Sequence, residues 1–415
     1  MPDAPILILL AATAASPGTA DMPGGPNGDP IILGMTLIQR AALAARRAGY
    51  GEVFLLGAKG LTTPGPPAIA DWRALTAVIP SSHTAPVVIV PGAILAEIDW
   101  LERLASTRIE PANWGRIPDR IIVLAAASAV RAVDELDSGG ATQNLAAVEG
   151  RLARLFGPPA FLSADIDPMV VATPSEIPAA ERRLLKSLVK DTDGFMARHV
   201  ERPISLQISR RLAGTAITPN QMSLISIAVG ICGGPFFLSS RPLMQTIGAL
   251  LFLAHSILDG CDGELARLKF QQSRWGGVLD FWGDNVVHTV IFGCMGIGWS
   301  LVTGAIWPLC LGAGAVLGTL GSASFVYGRL MRSKDGDETM FTSVSDAPER
   351  LLGRLLDSAS RRDFIYLVIL LALFGRSSWF LVMAGIGAPI YFFLVLFAAR
   401  PRASLGEAGR GSRQA

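Results

Sequence analysis

The chain has 415 residues, half of them hydrophobic and only 17% charged, with a formal net charge of +2 and a mean hydropathy of +0.43. The charge alone is uninformative, and no nucleic-acid partner is expected. The four cysteines, Cys232, Cys261, Cys294 and Cys310, sit at spacings that match neither a zinc site nor a disulfide framework, so they read as reduced, small core residues. Apolar runs concentrate after residue 220, which divides the chain into a soluble part and a membrane part.

Ile6 to Ala15 is apolar, but no Lys or Arg precedes it and glycine- and proline-rich sequence follows, so it is not read as a signal peptide. Short apolar runs at Ile6 to Leu10, Val53 to Leu56, Val87 to Val90 and Ile121 to Leu124 predict buried parallel strands. Helical stretches such as Leu37 to Ala48 and Ala93 to Ala105 separate them. A strand, a glycine-rich loop and then GMTLIQRAALAARRAGYGEVFLLG is similar in order to the start of sugar-phosphate nucleotidyltransferases, which implies a Rossmann-like α/β domain. The residues that carry that family's chemistry are missing. The loop Ser16 to Pro30 has no Lys or Arg, and Pro91 and Gly92 stand where an acidic metal ligand is expected. Glycine without positive charge is a weak phosphate signal. The domain, residues 1–175, reads as a degenerate nucleotidyltransferase; an active cytidylyltransferase, making the protein bifunctional, is the alternative.

Residues 176–215 form a linker that ends in an amphipathic stretch, Pro203 to Gly214, where Ile204, Leu206, Ile208 and Leu212 alternate with polar residues and a basic pair. A helix lying at the membrane surface is expected there. Six segments are long and apolar enough to span, at about 221–238, 243–259, 277–301, 305–327, 363–375 and 379–399. Basic residues collect on one side. Arg210, Arg211, Lys269, Arg274, Arg329, Arg332, Lys334, Arg350, Arg354, Arg361, Arg362, Arg400 and Arg402 would be cytoplasmic, against Arg241 and Arg376 outside. Both termini should then face the cytoplasm, in a multi-pass protein of the inner (cytoplasmic) membrane.

The chemistry concentrates between the second and third spans. Asp259, Asp262, Asp280 and Asp284 lie beside sequence that otherwise reads as membrane helix. An ionised carboxylate there costs several kcal/mol unless it is paired, hydrated or bound to metal. Asp259 and Asp262 are three apart and Asp280 and Asp284 four apart, so each pair projects from one helix face and the pairs can converge across a hairpin. An all-oxygen cluster suits Mg²⁺ or Mn²⁺, and two such ions can hold a pyrophosphate. Gly263 and Gly276 remove side chains where a nucleotide can approach, and Arg267 supplies a forked donor to phosphate.

At these residues the chain resembles the CDP-alcohol phosphotransferase family, whose signature is D-x2-D-G-x2-A-R-x8-G-x3-D-x3-D. All eight fixed positions are present. The stretch Asp193 to Ser226 also resembles the di-myo-inositol phosphate phosphate synthase branch, and the likeness covers roughly residues 193–335 well. The resemblance implies an all-α domain of six transmembrane helices, residues 216–402, that moves a phosphoryl-alcohol group from a CDP-alcohol to an acceptor hydroxyl and releases CMP. By carry-over, Asp259, Asp262, Asp280 and Asp284 hold a pair of metal ions, Asp284 is also the general base, and Gly263, Ala266, Arg267 and Gly276 form the CDP pocket. A homodimer in the bilayer is expected.

The acceptor is less defined. Arg329, Arg332 and Lys334 are candidate acceptor-binding residues, with an ordinary positive-inside role as the alternative. Where the related branch usually has Arg and then Asp, this chain has Asn285 and His288, which leaves inositol phosphate, free inositol, glycerol phosphate or a lipid open. His288 reads as either a pocket residue or a buried histidine of the bundle, and His255 as core. Residues 333–362 predict an amphipathic helix, and 403–415 a disordered tail. A non-catalytic membrane scaffold that keeps a nucleotide or metal site is the remaining alternative.

Overall fold

The structure, a computed structural model, describes residues 4–11, 29–57, 66–69, 71–77, 79, 83–110, 113–117, 120–137, 145–161, 167–190, 193–332 and 364–398. The glycine-rich loop before Asp29, the helix expected in 333–362, Lys334 and the tail lie outside these residues. The chain clusters into two compact units. One comprises Met1–Leu188 with Ala213–Thr215 and Leu268–Phe270; the other comprises Val189–Leu212, Ala216–Arg267 and Gln271–Ala415.

The first unit is α/β. Its seven-stranded sheet runs in the order Ala160–Phe161, Trp114–Ile117, Ile121–Leu124, Val87–Pro91, Ile6–Leu10, Glu52–Leu56, Ala68–Ile69. Five helices accompany it: α1 (Leu37–Arg47), α2 (Ile98–Ala105), α3 (Ala126–Asp137), α4 (Leu145–Phe156) and α5 (Ile177–Ser187). The unbroken apolar run Ile6–Leu10 is buried throughout because both sheet faces are covered. Ile6, Ile8 and Leu10 join a core with Trp72, Val133 and Leu152, whereas Leu7 and Leu9 join Ala41, Ala45, Trp100 and Leu101 on the other face. That split follows the two-residue period of a strand. Thr36 starts α1 with a reciprocal cap: Gln39 N donates to Thr36 Oγ1 at 3.3 Å and Thr36 N to Gln39 Oε1 at 3.4 Å.

One strand departs from the expected direction. Ile121–Leu124 is antiparallel to both Val87–Pro91 and Trp114–Ile117, rather than parallel. The reason is the hairpin that precedes it, in which Ile117 pairs with Ile121. A link that short reverses the chain, whereas a parallel pair needs a crossover of a dozen residues or more. The helix expected over Ala93 to Ala105 is also shorter, since Ile94–Leu95 forms a strand and α2 begins at Ile98.

The second unit is helical: α6 (Arg202–Leu212), α7 (Pro219–Gly233), α8 (Pro242–Leu268), α9 (Arg274–Thr303), α10 (Trp307–Arg332), α11 (Phe364–Leu373) and α12 (Ser377–Ala398). Among the described residues, five stretches are long and apolar enough to cross a bilayer: Pro219–Leu238, Pro242–Leu268, Arg274–Thr303, Trp307–Arg329 and Ser377–Phe397. The protein is a multi-pass membrane protein. Of the six expected spans, the fifth corresponds to α11, whose 10 described residues reach about 15 Å at 1.5 Å per residue, half of a hydrocarbon core of about 30 Å. Thr218 caps α7 with Gln221, and Pro219 takes the first helical position, where its missing N–H is harmless.

Candidate active site

α8 has 27 residues, about 40 Å of helix at 1.5 Å per residue. That exceeds a hydrocarbon core of about 30 Å, so its last turns, which carry Asp259 and Asp262, lie near the end of the span. Asp280 and Asp284 occupy the second and third turns of α9, which begins again at Arg274 after a short link. Sequence spacing therefore places all four at one end of the hairpin.

The structure brings three of them together. One carboxylate oxygen from each of Asp259, Asp262 and Asp280 lies within 4.8 Å of the others, with Asp259 and Asp262 only 4% and 6% exposed. Two unit negative charges at that separation repel by roughly 3 kcal/mol at an effective dielectric near 20. The arrangement calls for a cation, and its all-oxygen donor set fits Mg²⁺ or Mn²⁺ rather than a softer metal. Ser223 of α7 donates a hydrogen bond from Oγ to Asp262 Oδ2 and thereby fixes that carboxylate.

Asp284 stands beside the triad, one helical turn beyond Asp280, with its side chain 18% exposed. His255 of α8 places Nε2 3.3 Å from Asp284 Oδ1. Its other nitrogen, Nδ1, donates to the Ser226 carbonyl at 3.0 Å, which orients the ring. His255 is 1% exposed, as its reading as core implies, but it also links α7, α8 and the carboxylate of α9.

The remaining expected residues fall into different surroundings. A Cβ at Gly276 would lie 3.0 Å from Asn220 Oδ1 and 3.1 Å from Ser273 Oγ, so this glycine admits the start of α7 and the cap of α9, whose Gly276 N donates to Ser273 Oγ. A Cβ at Gly263 would lie 3.3 Å from Nη1 of Arg267, its neighbour one turn along the same helix. Ala266 is half-buried, and its carbonyl accepts from Gln271 N at 2.8 Å to close α8. His288 packs among Phe252, Phe292 and Phe364, with ring centroids 5.3, 6.0 and 5.7 Å away. Arg329 is exposed near the end of α10, the backbone of Arg332 continues that helix, and Lys334 lies beyond the described residues. Asn285 Nδ2 donates to the Phe281 carbonyl at 2.7 Å.

From sequence, neither Ser223 nor Glu264 is among the expected site residues, and His255 is expected only as core. Ser223 has no sequence mark at all. Glu264 does have one: it is a fifth carboxylate on the same apolar helix, and the desolvation argument that singles out the aspartates applies to it equally. It is fully buried.

An acidic triad held at the end of a helix hairpin in a multi-pass protein is a candidate cation site. Residues 216–336 match the sequence model of the CDP-alcohol phosphatidyltransferase family, and this part of the chain is a domain of that family. The chain is 37% identical over 158 residues to a bifunctional IPC transferase and DIPP synthase of Thermococcus kodakarensis, covering 38% of this chain and 34% of that protein. It is 40% identical over 120 residues to the protein of the same description from Archaeoglobus fulgidus, covering 29% and 24%. An archaetidylinositol phosphate synthase of Pyrococcus horikoshii is 27% identical over 154 residues, 37% of this chain and 74% of that protein. The matched stretch thus spans about a third or less of the two bifunctional relatives. The family and branch read from the signature and from Asp193 to Ser226 agree with these matches.

Proposed function

We propose that the protein is a metal-dependent CDP-alcohol phosphotransferase that transfers a phosphoryl-alcohol group to an acceptor hydroxyl and releases CMP. The observation that carries this is the convergence of Asp259, Asp262 and Asp280, with Asp284 one turn away, inside a domain of that family. The three aspartates would hold Mg²⁺ or Mn²⁺, which when bound neutralises the diphosphate and stabilises the oxygen that leaves it. Asp284 accepts the proton of the acceptor hydroxyl, whose oxygen forms a bond to the β-phosphorus as the bond from that phosphorus to the bridging oxygen breaks and CMP departs. A carboxylate is a weak base, but positioning supplies what basicity does not. His255 holds Asp284 in place from α8. Arg267 and the space beside Gly263 serve the CDP diphosphate.

The site faces the cytoplasm, where the basic residues collect, and the inner membrane is its setting. Inositol-type acceptors are the first to test, since one of the relatives is an archaetidylinositol phosphate synthase. The soluble unit acts as a scaffold or dimerisation element rather than as a nucleotidyltransferase. The test is CMP release by purified protein with Mg²⁺ or Mn²⁺, crossing CDP-inositol and CDP-diacylglycerol with inositol, inositol phosphate, glycerol phosphate and lipid alcohols. CMP in one combination, lost on chelation, is expected; none in any combination overturns the reading. Incubation with CTP and inositol 1-phosphate is expected to release no pyrophosphate.

A further inference from the structure

α6 is built inside out. A helix ordinarily buries its apolar stripe, yet Ser205 and Ser209 of α6, with Glu201 in the helical turn that leads into it, at successive four-residue steps and 1%, 0% and 7% exposed, form the buried stripe here. Ile204 is 44% exposed. The face of α8 that receives this stripe is equally unusual. It consists of Ser256, Gly260 and Glu264, again four residues apart; Asp262 projects from the opposite side of α8, and Asp259 from between the two.

The two faces are joined at both ends. Glu264 accepts from Arg202 Nη1 at 2.8 Å, from Ser205 Oγ at 2.6 Å and from Ser209 Oγ at 2.7 Å. Arg202 is itself held by Asp193, through Nε at 2.8 Å and Nη2 at 3.0 Å. Eight residues earlier on α8, Ser256 Oγ donates to Glu201 Oε2 at 2.9 Å, and Tyr366 of α11 donates to Glu201 Oε1 at 3.2 Å. Between these anchors a Cβ at Gly260 would already touch Arg202 Nη1 at 3.4 Å, and Cys261 Sγ donates to the Ser205 carbonyl at 3.5 Å. The anchored stretch, 256–264, brackets Asp259 and Asp262. Mutual repulsion of the triad tends to push this stretch away from Asp280 of α9, and α6 backs it from the opposite side.

We propose that Glu264 is a positioning residue of the metal site: by fastening α6 to α8 it holds Asp259 and Asp262 in the geometry that binds the cation. The proposal rests on the reading of the triad as a metal site. Two measurements test it. Cys261 is fully buried beneath α6, so its rate of maleimide labelling, in a Cys232→Ser/Cys294→Ser/Cys310→Ser background without metal, reports whether α6 stays docked. Mn²⁺ binding to detergent-solubilised protein, followed by electron paramagnetic resonance, reports the site without any turnover. The Ser205→Ala/Ser209→Ala variant leaves α8 untouched, and Glu264→Gln keeps the side chain's size and part of its hydrogen bonding. Both are expected to label Cys261 at least about tenfold faster and to bind Mn²⁺ about tenfold more weakly, the lower end of the loss seen when groups that orient metal ligands are removed. Faster labelling with unchanged Mn²⁺ affinity would make α6 a cover and overturn the proposal. Unchanged labelling would show that Glu264 does not hold α6 and overturn it too. If the unaltered protein binds no Mn²⁺, the metal reading fails first and this inference falls with it.

Discussion

The division of labour among the carboxylates turns on Asp284, which touches His255 and stands one turn from the triad. Asp284→Asn keeps the shape and removes the proton acceptor, so CMP release is expected to vanish while CDP-alcohol binding, measured by titration calorimetry, stays within a few-fold; normal turnover would remove Asp284 from the base role. His255→Phe preserves the flat ring that lies parallel to Phe252, with centroids 6.3 Å apart, but deletes both nitrogens. A misplaced catalytic group can slow turnover by about 100-fold, so kcat is expected to fall toward that extent with KM little changed. A rise in KM alone would assign His255 to substrate binding. The four aspartates were legible in the sequence because a charge in an apolar helix is expensive and their spacings share a face. His255 was legible only as a buried side chain, because its partners, Ser226 and Asp284, belong to other helices, and no local period records a contact across three helices.

At the level of elements, spacing within one helix could be read and the neighbour on each face could not. The run Ile121–Leu124 was recognisable as a strand from its apolar residues, but its direction was set by a hairpin to Trp114–Ile117, which no period within the run encodes. Likewise the alternation of Ile204, Leu206, Ile208 and Leu212 marked α6 as amphipathic. Ile208 and Leu212 pack against Met222, Cys261 and Leu265, while the deeper contacts of α6 are polar. Gly276 shows the same ambiguity. From sequence it makes room for a nucleotide; in the structure the room is taken by Asn220 and Ser273. Gly276→Ala crowds Asn220 Oδ1, the end of a side chain that must give by a few tenths of an ångström, against a helix-propensity gain of about 1 kcal/mol for Ala over Gly. Thermal unfolding in detergent should therefore shift up by less than that gain, and Asn220→Ala in the same chain should release the rest. If the double variant is no more stable than Gly276→Ala, the packing account of this glycine is wrong.

Across the whole molecule, the two units carry carboxylates that respond to pH in opposite senses, and this allows their unfolding to be told apart. In the α/β unit, burial raises the Asp29 carboxyl from 3.8 to about 6, against the lowering effect of hydrogen bonds from Thr36 and from Ile38 N at 3.1 Å. Between those values the folded unit binds more protons than the unfolded chain, so the stability due to this group is present below about pH 4 and is lost as pH rises through 6. In the membrane unit, burial would raise Asp193, but its hydrogen bonds and ion pair with Arg202 outweigh that and hold it below its ordinary value. There the unfolded chain binds the extra proton, so the contribution is present above about pH 4 and is lost as pH falls through the lowered folded value. Calorimetric scans of the protein from pH 4 to 8 should therefore show a transition of the α/β unit that moves to lower temperature as pH rises from 4 to 6 and levels off above that. Asp29→Asn, which keeps an acceptor for Ile38 N without the buried charge, should flatten that trend. Asp193→Asn should leave it intact and lower the other transition, because Arg202 then faces Glu264 without its second carboxylate. If Asp29→Asn leaves the slope between pH 4 and 6 unchanged, the buried carboxyl at the start of α1 is not its source.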